Sequence, residues 1–207
     1  MTNRILSMVK PLALSIFAIA LFTLAQGEAR ADEVTISGST TGTVTGVPQL
    51  TFAGNTFTGT TALGVGSLSG VNRLGTFTLQ TGTLQAVAGS FSLNVTFTAP
   101  AGINGGSNTT YTATITGSVS PNVNQGGVNI HFANPTQTFT FSNGSTSGSF
   151  TLTLADVFVQ SGRSANLTAG ITGRQSSTVP EPATLLLLGT GLTGIAAGMR
   201  RRKSAGK

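Results

Sequence analysis

The chain has 207 residues, a formal net charge of +6 and a charged content of only 8%. It contains no Cys, no Trp, one His and one Tyr, which excludes a disulfide framework, a thiolate metal centre and a cysteine nucleophile. Five acidic residues in the whole chain leave little room for a carboxylate metal cage or for two facing catalytic carboxylates.

At the N-terminus, Arg4 and Lys10 precede or border an uncharged run over 11–25. This run is shorter than the ~20 residues a permanent membrane span requires. Ala29 and Ala31 then give the small-x-small pattern of a signal cleavage site, with Asp32 as the first mature residue. Residues 1–31 therefore read as a secretory signal peptide. The secretion translocon and signal peptidase are the expected partners, and export across the inner membrane is the expected fate.

Residues 32–180 carry Arg73, Arg163 and Arg174 against Asp32, Glu33 and Asp156, and are neutral. The excess positive charge lies in the two terminal segments, so the body lacks the basic patch that nucleic acid requires. Thr, Gly, Ser and Asn dominate its composition, but the order is not that of a low-complexity segment. Phe91-Ser-Leu93-Asn-Val95-Thr-Phe97 alternates apolar and polar residues. The same period recurs at Tyr111–Ile115, Val128–Phe132, Phe139–Phe141, Phe150–Leu154 and Leu167–Ile171. A period of two with Thr on the wet face predicts half-buried antiparallel strands. Asn104-Gly105-Gly106, the segment 121–127 and Asn143-Gly144 supply turn residues between them. The expected fold is all-β, an antiparallel β-sandwich of about nine or ten short strands over 32–172. Ten of the twelve Phe residues lie in the body, most of them on its apolar faces. The Gly-rich segments 38–49 and 60–73 have no firm assignment, and 173–180 reads as a linker.

Candidate chemistry in the body is sparse. His131 and Asp156 could form a Ser–His–Asp triad with one of many serines, but no Gly-x-Ser-x-Gly elbow marks a nucleophile. His131 falls on the polar phase of its strand, which predicts a solvent-facing ring. Backbone carbonyls around Asn122 and Asn124 could help hold a calcium ion, although one His and one Asp fall short of a ligand set. Tyr111 lies on an apolar phase and offers no exposed ring for a sugar, leaving the Asn-rich loops to make weak carbohydrate contacts. No metal or other cofactor is expected.

Near the C-terminus, Pro180-Glu181-Pro182 is followed by an uncharged segment over 183–199 and then by Arg200, Arg201, Arg202 and Lys203. As a helix, seventeen residues would rise roughly 26 Å, and arginine side chains could snorkel to cover the shortfall against a ~30 Å core. A short transmembrane helix is thus expected, with the basic cluster on the cytoplasmic side. Prolines 180 and 182 hold the chain extended before it, accessible to a processing enzyme.

The order and terminal placement of these parts resemble a PEP-CTERM sorting signal over about 179–207. The resemblance implies that Pro180, Glu181 and Pro182 are recognised by an exosortase-like membrane transpeptidase, and that Arg200, Arg201, Arg202 and Lys203 are the stop-transfer end of the segment. It further implies a Gram-negative host that makes exopolysaccharide, and a mature form at the cell surface or outside the cell. The combined reading is an exported, non-enzymatic surface or matrix protein associated with exopolysaccharide or biofilm. The alternatives are a weak carbohydrate-binding or adhesion module, and a secreted hydrolase using His131 and Asp156.

Overall fold

The computed structural model describes residues 33–144, 146–177 and 189. Thirteen strands follow one another: β1 (Thr35–Thr45), β2 (Leu50–Gly54), β3 (Thr56–Thr60), β4 (Val65–Leu68), β5 (Gly75–Leu79), β6 (Gln85–Ala99) and β7 (Asn108–Val119) in the first part. The second part holds β8 (Gly127–Phe132), β9 (Thr136–Ser142), β10 (Thr146–Leu154), β11 (Val157–Gln160), β12 (Arg163–Leu167) and β13 (Ala169–Ser177). A three-residue 3-10 turn at Gly70–Asn72 interrupts them.

The strands form a six-stranded sheet in the order β11-β8-β7-β6-β1-β3, a four-stranded sheet β4-β13-β10-β9 and a three-stranded sheet β12-β5-β2. All these pairings are antiparallel. The two smaller sheets face the large one, and their side chains meet it in a single core. Phe91 of β6 packs against Phe77 of β5 and Phe52 of β2, with ring centroids 4.8 and 4.9 Å away. Six residues further along β6, Phe97 packs against Phe139 of β9 and Phe150 of β10 at 4.9 and 5.2 Å. One strand thus joins both halves of the second layer. The rings meet in tilted or edge-on arrangements, as their quadrupoles favour.

Both edges of the large sheet are met by strands of the other layer. At one, β3 turns into β4 through a two-residue loop, Leu63-Gly64, closed by reciprocal backbone bonds between Ala62 and Val65 of 2.8 and 3.1 Å. Both loop residues have positive φ, 54° and 82°, the geometry of a type I′ hairpin turn. At the other edge, β11 leads into β12 through Ser161-Gly162. Buried Ser161 accepts the Ser120 N–H on its Oγ at 3.1 Å there, which satisfies that donor.

The sandwich and its buried phases agree with the expectation. Phe91, Leu93, Val95, Tyr111, Ile115, Val128, Ile130, Phe132, Phe150 and Leu152 all point inward. Three expectations are corrected. There are thirteen strands among the described residues instead of nine or ten, and the Gly-rich segments contain most of β1 and all of β4. The inner positions of β1 are Ile36, Gly38, Thr40 and Gly42, and small residues are needed there. A Cβ on Gly42 would lie 2.6 to 2.7 Å from the rings of Phe91 and Phe52. Next, residues 173–177, read as linker, complete β13 and pair with β10 as far as Thr146↔Ser177.

The third correction concerns the C-terminal transmembrane helix over 183–199 and the anchoring built on it. Among the described residues no helix is long and apolar enough to cross a membrane. The segment is short for a span and includes Gly189, Gly191, Gly194 and Gly198, each costing a helix about 1 kcal/mol relative to Ala. Apart from Gly189 it lies outside the described residues, as do the signal peptide with Ala29 and Ala31, the Pro180-Glu181-Pro182 group and Arg200 to Lys203.

Candidate functional site

The outer face of the six-stranded sheet is built from small uncharged side chains. Thr41, Thr43 and Thr45 of β1, Ser90 and Asn94 of β6, and Thr110, Thr112, Thr114 and Thr116 of β7 are all exposed. Titratable side chains and an aromatic ring appear at its β8–β11 edge.

Strand register explains this placement. Val128, Ile130 and Phe132 of β8 face the core, so Asn129 and His131 face outward. On β11, Val157 and Val159 are buried while Phe158 is 52% exposed. Phe158 lies directly across from Asn129 in the ladder, and Val157 across from Ile130. The ladder between β8 and β11 ends there, which leaves the Phe132 N–H beyond its last pair. Asp156, the residue just before β11, fills that position with a side chain: its Oδ1 accepts the Phe132 N–H at 2.9 Å. Its Oδ2 lies 2.6 Å from His131 Nδ1. The backbone donor and the imidazole together hold the Asp156 carboxyl below its ordinary pKa.

The structure therefore brings His131 and Asp156 together, as the triad alternative requires, and exposes the His131 ring as its strand phase predicts. The side chains are 66% and 54% exposed. No serine hydroxyl hydrogen-bonds to the imidazole among the described residues, so the nucleophile–base contact of a triad is not formed. The contact to Asp156 uses Nδ1 and leaves Nε2 as the ring nitrogen without that partner. Together with Asn129 and Phe158 the pair lines a shallow groove of about 350 Å³, near the small end of the ~300–1,000 Å³ typical of ligand sites.

The other residues considered for chemistry have structural employment. Asn124 Oδ1 accepts a 2.7 Å bond from Arg163 Nε, and Asn122 Nδ2 donates to Gln125 Oε1 at 2.9 Å. The Asn122 carbonyl already accepts the Gln125 N–H at 3.3 Å, and the guanidinium adds positive charge beside this loop. Among the described residues, no group of three or more His, Cys, Asp or Glu side chains stands ready for a metal. Tyr111 is buried, as its phase predicts, and burial pushes its hydroxyl pKa well up. Phe158 was the residue the apolar-face reading passed over. Its signal lay in the alternation: between inward Val157 and Val159, position 158 must face out.

The tail is the remaining candidate, and here a family match decides. The PEP-CTERM protein-sorting motif matches residues 178–203. The chain carries a PEP-CTERM sorting motif. The match takes in Pro180, Glu181, Pro182 and the cluster Arg200–Lys203, and starts one residue after β13 ends. No curated protein and no solved structure matches the chain.

Proposed function

We propose that this is an exported, non-enzymatic surface or extracellular-matrix protein, delivered and processed through its C-terminal signal by an exosortase-like transpeptidase. The observation that carries the reading is the PEP-CTERM match at 178–203. In this reading Pro180, Glu181 and Pro182 are the recognition residues, and the catalytic machinery belongs to the partner. Passage through the secretion translocon and removal of residues 1–31 by signal peptidase come first. The body supports the reading through its neutral, Thr-rich exterior and its aromatic core, which suit a stable module displayed beside exopolysaccharide or within a biofilm.

The test is to change Pro180, Glu181 and Pro182 together to alanine, then compare the mass of the accumulated protein and its distribution between cell and medium. The precursor is expected to accumulate with its tail intact and the released or surface form to disappear. An unchanged mass and location would overturn the reading. A non-enzymatic body further predicts that Asp156→Ala leaves any polysaccharide-degrading activity of the purified protein at background, as in the wild type.

A further inference from the structure

We propose that the β8–β11 groove is a binding subsite for a neutral hexopyranose chain, with Phe158 as the stacking platform and Asn129 and His131 as hydroxyl partners. Gly127 sets the posture of the ring. A Cβ on Gly127 would lie 2.5 Å from Phe158 Cζ and 2.7 Å from Cε2, so the ring rests against the bare backbone of β8. With one side seated on glycine and half of its surface exposed, the ring presents an apolar face to solvent. A pyranose with equatorial hydroxyls has a matching face of C–H bonds, with its hydroxyls around the rim. The polar groups bordering the ring fit that rim. Asn129 is its ladder neighbour, offering both a donor and an acceptor. His131 meets Asp156 through Nδ1, which leaves Nε2 for a hydroxyl. Asp156 is itself engaged by the Phe132 N–H and the imidazole, so the arrangement exists before any ligand arrives and adds little ordering cost on binding. The Asp156 carboxylate places a negative charge beside the groove and disfavours a polyuronate. Seating a protein partner would need a contact area far larger than this groove.

The choice of a glycan rests on the extracellular setting proposed above. Binding is measured with purified full-length chain and processing is measured in cells, so each can fail without the other. The probe is hydroxyethyl cellulose, a neutral glucan, cast into a native gel, with alginate as the acidic counterpart. The wild type is expected to be retarded by the glucan and less by alginate. Phe158→Ala should weaken retardation at least about fivefold, the loss of one aromatic stack. Asn129→Ala and His131→Ala should each weaken it about two- to fivefold. Phe158→Leu keeps an apolar cover over Gly127 while removing the ring, so a folded Phe158→Leu protein should lose retardation as well. Leu63→Ala, at the opposite edge of the sheet and 92% exposed in the wild type, should leave it unchanged. Absence of retardation of the folded wild type, full retardation of Phe158→Leu, equal retardation by alginate, or an equal loss in Leu63→Ala would each overturn the proposal.

Discussion

The two faces of the six-stranded sheet are made by the same strands and differ in almost every chemical respect. Its inner face holds Phe57, Phe91, Phe97, Tyr111 and Phe132, with Gly38 and Gly42 where rings or backbone approach closely. Its outer face is a field of Thr, Ser and Asn, broken at one edge by Phe158 and the His131–Asp156 pair. Stability is therefore concentrated on one face, while the aromatic and titratable groups of the other are confined to an edge. A period of two allows this separation, since each residue belongs to one face only.

Four measurements would break or sharpen that contrast. The largest effect is expected on the inner face: Phe91→Ala removes the ring that meets Phe52, Phe77 and Phe132. It should cost about 3–5 kcal/mol in denaturant unfolding, a large share of a domain's ~5–15 kcal/mol. A loss under 1 kcal/mol would show that the core is not organised around β6.

Tyr111 gives the inner face a pH signature. Its folded-state pKa is raised by burial, so the folded chain retains a proton that the unfolded chain gives up near pH 10. Stability should be independent of this group below about pH 10 and fall as pH rises beyond it. Tyr111→Phe should flatten that alkaline decline. The variant should otherwise cost little, because the hydroxyl's bond to the Leu152 carbonyl is long, 3.5 Å.

On the outer edge the effects shrink. Asp156→Ala leaves the Phe132 N–H without its carboxylate partner and should cost under about 1 kcal/mol, given how exposed the site is. Because the Asp156 pKa is lowered in the folded protein, the wild-type advantage should hold above about pH 4 and vanish as pH falls through the native value. An advantage that instead grew on acidification would contradict the geometry. The smallest change is a gain. Leu63 holds φ of 54° in a hairpin turn with its side chain almost wholly exposed. Leu63→Asn should raise the thermal midpoint slightly, by about 0.5–1 kcal/mol of stability, since Asn tolerates that conformation better.

Where each strand position has its own apolar or polar character, the fold is readable from the chain. Phe91 to Phe97 and Val128 to Phe132 announce both their conformation and their buried side. β1 does not, because its inward residues include Gly38, pressed by the Thr96 backbone and the Phe57 ring, Thr40, and Gly42, pressed by the Phe52 and Phe91 rings. Small inward residues erase the hydrophobic period that marks a strand. β13 hides its end for another reason: Arg174, Gln175 and Ser176 are polar, and the β10 residues that pair with them, Ser149, Gly148 and Ser147, lie far earlier in sequence. The site divides the same way. The sorting motif is a linear signal and is legible without a structure. The meeting of His131 with Asp156 depends on how β8 and β11 are registered, and no local pattern records that. Phe158 shows that alternation can also mark an exception, an aromatic residue on the wrong phase for a core.

The close spacing between β13 and the motif has a mechanical consequence. Only Thr178 and Val179 separate Ser177, the last residue laddered to β10, from Pro180. Even fully extended, the three steps from Ser177 to Pro180 reach roughly 10 Å. An enzyme that grips Pro-Glu-Pro must therefore work within that distance of the folded body, or first peel the end of β13 away from β10. Under the proposed processing, folding and cleavage would be geometrically linked: a folded body at the end of a short leash limits the approach angles open to an enzyme, and a few residues inserted after Ser177 would relax that limit.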